Sequence, residues 1–249
     1  MSVDPDKGPA DRMNESPKRG SYRSHRVRQR QRILDAAEKL FDEQGIDRVT
    51  IADIVQGAGI RPSTLYEYFS NKDDIVWAIV ADVFADWARL AKEEMDAAPT
   101  ALDKITALFE FMAQGLTEGT SKIRFMAQFD AMYARQWSPE RLLSLEAQVS
   151  PGGLAYFSSL VRQGIEDGTL RSDLDPELTM QAVINAVVGA QRRLASLGNR
   201  VEVEYGQPID RLFRETIRIL LLGMRAPGPP TQVHERNSPK AGQKKKRSL

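Results

Sequence analysis

The chain has 249 residues, 41% of them hydrophobic, and 35 Lys and Arg against 34 Asp and Glu give it a net charge of +1. It is long enough for one or two domains with a full hydrophobic core, and the absence of cysteine excludes disulfides, thiolate metal sites and cysteine nucleophiles. No apolar run approaches the length that spans a bilayer and the first residues lack a signal-peptide pattern, so we expect a cytoplasmic protein without a membrane partner.

The hydrophobic pattern is helical between two polar ends. Residues 1–25 and 224–249 are rich in Pro, Gly, Ser and charged side chains, so we expect two disordered basic segments there. A first helix is predicted from about Arg26 to Gln44, and short helices are predicted over 50–57 and 62–69. A capping pattern at Ser70 to Asp73 then begins a long helix that ends near Met95.

The rest of the chain is also predicted to be helical. Proline and glycine separate further helices, which are predicted over 101–117, 121–135, 139–149, 152–167, 176–197 and 208–223. No segment has the sustained alternation of a strand, since the run that begins at Val201 is too short to pair. The predicted fold class is therefore all-α.

Residues 50–69, TIADIVQGAGIRPSTLYEYF, have the pattern of a helix-turn-helix, two short capped helices joined by a glycine-containing turn. Its apolar side chains could form a small core: Ile51, Ile54, Val55, Ala58, Ile60, Leu65 and Phe69. The others in the second helix would face outward, as reading of a DNA major groove requires: Arg61, Ser63, Thr64, Tyr66, Glu67 and Tyr68. Two alternatives stay open, a core position for the Tyr66 ring and a merely solvated Glu67.

The segment from Ile33 to Ile75 resembles the tetracycline-repressor-like (TetR/AcrR) family of regulators. The residues that carry the resemblance are Thr50, Ile54, Ala58, Gly59, Ile60, Thr64, Leu65, Tyr66, Tyr68, Phe69, Asn71, Lys72 and Ile75. Gln56-Gly57 and Pro62-Ser63 depart from the usual family residues, although proline fits the first position of a helix. The resemblance implies an N-terminal three-helix DNA-binding domain over 26–75 and a helical ligand-binding and dimerisation domain over 76–223.

The resemblance also implies a homodimer on double-stranded DNA, with a palindromic operator. It assigns DNA contacts to Arg61, Pro62, Ser63, Thr64, Tyr66, Glu67 and Tyr68 on the second helix. Thr50 and Lys72, each at the start of a helix, are expected to contact phosphate.

The charge is unevenly distributed along the chain. Residues 1–32 carry nine basic and four acidic side chains, for +5, whereas residues 33–224 have a net charge of −10 and residues 225–249 one of +6. We expect Arg23, Arg26 and Arg28 to follow the DNA backbone or enter the minor groove. For the basic run at the C-terminus, a solubilising tail is the simpler interpretation.

In the acidic body the resemblance implies an effector pocket and a dimer interface. Large adaptable side chains suggest a pocket lined by Trp87, Phe109, Met112, Phe129, Tyr133 and Tyr156, with an ordinary core position as the alternative for each. Asp130 could select a cationic effector or simply face solvent. The dimer interface is expected on the last two long helices, at Val183, Val187, Leu194, Leu212, Phe213 and Leu220.

These features predict a ligand-responsive transcriptional regulator, a repressor if it follows the family's habit, that a small and largely apolar effector releases from DNA. No cofactor or metal is expected. An enzyme is not expected either, because the two histidines, His25 and His234, lie in the predicted tails and no catalytic motif is present. The alternative is an architectural or non-specific DNA-binding protein, which the basic ends would suit and the acidic body would not.

Overall fold

A computed structural model describes residues 17–136, 138–149 and 153–227. Within these ranges the regular elements are helices, with one isolated antiparallel bridge between Leu170 and Arg225, which confirms the all-α prediction. The helices are α1 (Pro17–Gln44), α2 (Ile51–Ala58), α3 (Pro62–Tyr66), α4 (Lys72–Asp96), α5 (Ala101–Glu118), α6 (Thr120–Gln136), α7 (Pro139–Val149), α8 (Gly153–Glu166), α9 (Pro176–Leu197), α10 (Arg200–Tyr205) and α11 (Ile209–Met224).

Helix α1 begins nine residues before the predicted start, so residues 17–25 are helical and not disordered as expected. The physical reason lies in their composition. Pro17 occupies a first position that tolerates proline, and the arginines that follow are good helix formers, with only Gly20 opposing them. The remaining parts of the predicted disordered ends, residues 1–16 and 228–249, lie outside the described residues.

Three smaller differences concern the ends of elements. The cap of α4 is Asn71 and not Ser70, because the Asn71 side chain accepts from the backbone N–H of Asp74 at 2.9 Å. The segment after α9 forms the short helix α10, in which Val201 is fully buried. The chain remains hydrogen-bonded beyond the end of α11, because the Ala226 N–H donates to the Thr169 carbonyl at 3.0 Å.

Two hydrophobic clusters divide the chain, and the division does not follow the predicted domain boundary at residue 75. One cluster contains side chains of helices α1, α2 and α3 and of the first half of α4. Four residues of α6 also belong to it, Phe125, Met126, Phe129 and Met132. The other lies among the end of α4 and helices α5, α8, α9 and α11. Helix α6 therefore supplies apolar side chains to the N-terminal cluster, although it comes much later in the chain and also packs along α9.

None of the described helices is both long enough and apolar enough to cross a membrane.

Candidate nucleic-acid interface

The start of α2 is fixed by a reciprocal cap between Thr50 and Asp53. The Thr50 hydroxyl oxygen accepts from the Asp53 N–H at 3.3 Å, and the Asp53 carboxylate accepts from the Thr50 N–H at 2.8 Å. The Thr50 hydroxyl and its backbone N–H, both bonded to this carboxylate, hold the pKa of Asp53 below its ordinary value. Thr50 remains exposed, at the end of the helix where N–H groups face outward.

The turn between α2 and α3 depends on one glycine and one arginine. Gly59 ends α2 with φ 61° and ψ 41°, a left-handed conformation that glycine adopts without a steric cost. Arg32 of α1 donates to the carbonyl oxygen of Ala58 at 2.9 Å, which attaches this turn to the first helix. The angle at which α3 leaves α2 is thus fixed from two sides.

Helix α3 presents a polar face and buries an apolar one. Leu65 is fully buried and Phe69, just after the helix, is nearly so. The exposed side chains are Arg61, Pro62, Ser63, Tyr66 and Glu67, and Thr64 and Tyr68 are half-buried. Tyr66 is 57% exposed, which excludes a core position for its ring. The helix therefore presents most of the side chains predicted to face outward.

The extended α1 brings arginines beside the end of α3. The Arg26 guanidinium lies 5.5 Å from the ring centroid of Tyr68, and that of Arg30 lies 5.9 Å from the ring of Phe69. Both distances are those of cation–π contacts. Arg23 and Arg28 are exposed on the same helix, so the residues predicted to contact the DNA backbone lie on α1.

The Lys72 ammonium is hydrogen-bonded to backbone carbonyl groups of the chain. Its ammonium donates to the carbonyl oxygens of Ile46 at 2.8 Å and Val49 at 3.0 Å, and the carbonyl of Asp47 lies within reach at 3.5 Å. Because an ammonium has three N–H groups, these acceptors use its hydrogen-bonding capacity. Lys72 therefore has a structural role that the sequence does not predict, since it joins the start of α4 to the loop before α2, and its phosphate contact stays a prediction.

Two side chains of α6 also hold the N-terminal unit, and neither role is visible in the sequence. The Gln128 side-chain oxygen accepts from the Ile46 N–H at 2.8 Å, and Arg124 makes a two-pronged ion pair with Asp42 at 2.7 and 2.9 Å. Each pair is separated by 82 positions in the chain. Neither residue belongs to a sequence motif. Patterns of residues close together in the sequence therefore could not predict these two contacts.

The six residues predicted to line an effector pocket are divided between the two hydrophobic clusters and the surface. Phe129 and Tyr133 stack on each other in the N-terminal cluster, with ring centroids 6.0 Å apart. Phe109 and Met112 belong to the other cluster, and Trp87 packs against both. The sixth, Tyr156, is exposed and pairs with the neighbouring Phe157. Helical spacing alone does not say which helix each face packs against, and an effector pocket at these residues stays a prediction.

An acidic cleft of about 270 Å³ lies between α1, α4 and α6. Its lining residues are Asp35, Glu38, Lys39, Asp42, Ile79, Val83, Ser121, Lys122 and Phe125. Burial raises the pKa of Glu38; the positive charge of Lys122 opposes this rise, and nearby Asp35 adds to it. None of the six predicted pocket residues lines this cleft.

The predicted dimer residues also need correction, because several of them are buried within the chain's own core. Val183, Val187, Leu194 and Phe213 belong to the second cluster, and Leu212 and Leu220 are partly buried against it. The apolar side chains that do face outward on α9 and α11 are Leu178, Ile219 and Leu222, at 66%, 57% and 52% exposure. Small exposed residues lie along the same part of α9, at Ala182, Ala186 and Gly189. A groove of about 380 Å³ separates the two helices here.

A polar group lies where α5, α6 and α9 meet. Gln191 is buried and donates to the Met112 carbonyl at 2.6 Å. The next residue, Arg192, is paired with Asp130 of α6, and burial lowers the pKa of its guanidinium to about 10. Asp130 is thus neither simply solvated nor free to select a cation, the two alternatives that its sequence position leaves open.

Comparison with known proteins identifies the N-terminal unit. Residues 33–79 match the family described as bacterial regulatory proteins, tetR family. The HTH-type transcriptional repressor KstR2 of Mycolicibacterium smegmatis is 24% identical over 165 residues, which cover 62% of this chain and 73% of the relative.

Two solved structures share the fold at 21% identity. The ketosteroid transcriptional regulator KstR2 of Mycobacterium tuberculosis aligns with a TM-score of 0.59 over 80% of this chain and 95% of that chain. The transcriptional regulator FadR of Bacillus subtilis, in complex with stearoyl-CoA, aligns with a TM-score of 0.55 over 78% of this chain and 98% of that chain. All three proteins are named as transcription regulators, which confirms the expectation of a regulator over an enzyme.

Proposed function

The chain belongs to the tetR family of bacterial regulatory proteins, and we propose that it is a cytoplasmic repressor that binds a palindromic operator as a homodimer. Binding of a small, largely apolar effector releases it from DNA. The observation that carries this proposal is the short helix α3, which holds Leu65 and Phe69 in the core and leaves Arg61, Ser63 and Tyr66 exposed.

Each exposed side chain of α3 has a suitable role in a major groove. Arg61 and Ser63, at the start of the helix, can hydrogen-bond to base edges, while Tyr66 can reach a phosphate or the methyl group of thymine. Pro62 lies in the first turn, Thr64 and Tyr68 border the contact, and Glu67 faces the same side. Thr50 presents the first N–H groups of α2 to the DNA backbone.

The arginines on the first turns of α1 extend this surface. Arg23 and Arg28 are exposed, and Arg26 lies against Tyr68 at the end of α3. From a helix next to the recognition helix they would contact phosphates flanking the major groove, which adds affinity that depends on salt but not on sequence.

A second copy of the chain would pair through α9 and α11. The exposed face made by Leu178, Ile219 and Leu222, with Ala182 and Ala186 beside it, is apolar and lets helices approach closely. A two-fold axis through such a face relates two recognition helices, which requires an operator with two-fold symmetry.

The proposed effector has a long apolar part. The relatives with this fold are a ketosteroid regulator and a regulator bound to stearoyl-CoA, and both names point to large apolar molecules with a polar end. The body of this chain has the matching composition, since Phe109, Met112, Phe157 and Met180 all belong to or pack against its cluster. The ligand shifts the DNA-binding equilibrium by its different affinity for the two states.

Selection of bound duplexes from a random DNA pool tests the proposal. We expect a palindrome with half-sites about one helical turn apart or somewhat more, bound by a dimer. Tyr66→Ala should weaken binding to that site at least tenfold, whereas Tyr205→Ala, an exposed tyrosine of α10, should have no effect. Equal affinity for the selected site and random DNA would instead favour an architectural protein.

A further inference from the structure

The guanidinium of Arg192 has a single protein partner within the body. Its side chain is only 18% exposed, and one N–H group donates to the Asp130 carboxylate. Among the described residues no other acceptor meets it, although a guanidinium carries five N–H groups. The nitrogen atoms that are not bonded to Asp130 remain within reach of solvent.

Arg192 is more buried than the other ion-paired arginines and lies at the border of the apolar cluster. Gln191, the preceding residue, is buried and reaches α5 at the Met112 carbonyl, while Arg192 reaches α6. Leu194 and Ala195, on the next turn of α9, are buried in the apolar cluster. The side chains of Gln191 and Arg192 thus lie next to each other at the border of the apolar cluster. Sites that orient an amphipathic ligand combine polar and apolar groups in this way.

We propose that Arg192 binds the anionic end of an amphipathic effector, whose carboxylate or phosphate takes the place of the Asp130 carboxylate. The inference rests on the proposed function and names the class of its ligand. A mostly buried arginine side chain needs a counter-ion, and its planar N–H groups match an oxyanion with two acceptor atoms. The Asp130 side chain is 43% exposed, so it can rotate toward the solvent when the ligand displaces it.

The exchange of partners would also reach the DNA-binding unit. Asp130 lies on the same helix as Gln128, which holds the Ile46 N–H, and as Arg124, which holds Asp42. When Arg192 changes partner, α6 loses an ion pair to α9 while its bonds to α1 and to the loop after it persist. The change of partner weakens one of the contacts that hold α6 along α9, and α6 carries the bonds of Gln128 and Arg124 to the N-terminal unit, so ligand binding favours a state in which this unit is repositioned.

The test compares both halves of the ion pair with anionic and neutral ligands. Stearate, stearoyl-CoA and stearyl alcohol are titrated into the full-length protein by isothermal titration calorimetry. We expect the wild type to bind at least one anionic probe ten times more tightly than the alcohol. Arg192→Gln should remove this difference, whereas Asp130→Asn should strengthen the binding of the anion several-fold, because it removes the competing carboxylate.

Opposite effects of the two substitutions distinguish a ligand site from a structural ion pair, whose loss would act in one direction. Arg214→Gln and Glu110→Gln, which break an exposed ion pair between α11 and α5, should leave all three affinities unchanged. Circular dichroism melting shows that each variant is folded. Stearate and stearoyl-CoA separate a carboxylate from a phosphate as the bound group.

Three outcomes would overturn the proposal: no binding of either anionic probe by the wild type, no preference over the alcohol, or weaker binding of the anions by both variants. The operator selection is carried out without ligand, so its failure is a separate result. A chain that binds the anions through Arg192 but selects no palindrome would refute the proposed repressor and leave this site intact.

Discussion

The ammonium of Lys72 lies 2.8 Å from the carbonyl oxygen of Ile46 and 3.0 Å from that of Val49, the residue just before the cap of α2. The start of α4 is therefore attached to the start of the helix-turn-helix. Lys72→Met keeps the aliphatic stem and removes these bonds, so it should lower the free energy of unfolding by about 1–3 kcal/mol, as measured in urea.

A structural role of Lys72 has a second signature in DNA binding. If its ammonium keeps these carbonyl partners in the DNA complex, the slope of log affinity against log salt should be unchanged in Lys72→Met. Lys39→Met, at an exposed position of α1, is the control and should alter neither quantity. A slope reduced by about one for Lys72→Met would restore the phosphate contact predicted from the sequence.

The exposed arginines of α1 should determine part of the salt dependence. Replacing Arg23 and Arg28 together by Gln removes two positive charges that face outward, so operator affinity should fall and the salt slope should flatten by about 0.9 for each phosphate that is no longer neutralised. Fluorescence anisotropy at several salt concentrations measures both. Arg89→Gln, on α4 and paired with Glu93, is the matched control. If the slope does not change, these arginines do not touch DNA.

Gln128→Ala should destabilise the N-terminal unit. It removes the acceptor of the half-buried Ile46 N–H, and an unpaired buried donor costs about 1–3 kcal/mol. Gln114→Ala on α5 removes only an exposed bond to Glu118 and should be nearly neutral. Hydrogen exchange at the Ile46 amide gives a direct reading, since it should become faster in Gln128→Ala and stay slow in the control.

Glu38 should make stability depend on pH. Burial raises the pKa of its carboxyl in the folded chain, so the protonated form favours folding and this contribution is lost as the pH rises through the raised value. Glu38→Gln should thus melt about 1–3 °C higher than the wild type at pH 7. Below the ordinary pKa of 4.5 the difference should vanish. The control Glu94→Gln, at an exposed position of α4, should melt at the same temperature as the wild type at both pH values.

The face on α9 and α11 should control assembly. Ile219→Glu places a charge on the proposed dimer face, so sedimentation should report a monomer and operator binding should weaken by at least tenfold. Leu143→Glu introduces the same charge at another exposed leucine, on α7, and should leave the dimer intact. Loss of the dimer in both variants would assign the interface elsewhere.

The parts that sequence can predict are those fixed by neighbours in the chain. Thr50 and Asp53 cap a helix at a spacing of three, and Gly59 is required by a left-handed turn between two short helices. Leu65 and Tyr66, adjacent residues with opposite burial, follow from the period of a helix. The helix-turn-helix and the all-α class can be predicted from the sequence because they also depend on residues close together in the chain.

The parts that sequence cannot predict depend on which elements meet. Apolar spacing assigns Val187 and Phe213 to a subunit interface, but both are fully buried in the chain's own core. Helices α9 and α11 carry apolar residues on more than one face, and composition alone does not tell an inward face from an outward one. The bonds of Gln128 and Lys72 have no local pattern at all, since their partners lie far away in sequence.

The packing of α6 against α1 and α4 has a practical consequence for engineered sensors. A hybrid regulator that joins the DNA-reading helices of this chain to another body at residue 75 would leave Phe41 without its ring partner Phe125 and Asp42 without its ion-pair partner Arg124. A transplant that carries α6 and the first half of α4 along keeps these pairs, together with the bonds of Arg124 and Gln128. The exchangeable module is therefore discontinuous in sequence, and a single crossover cannot transfer it.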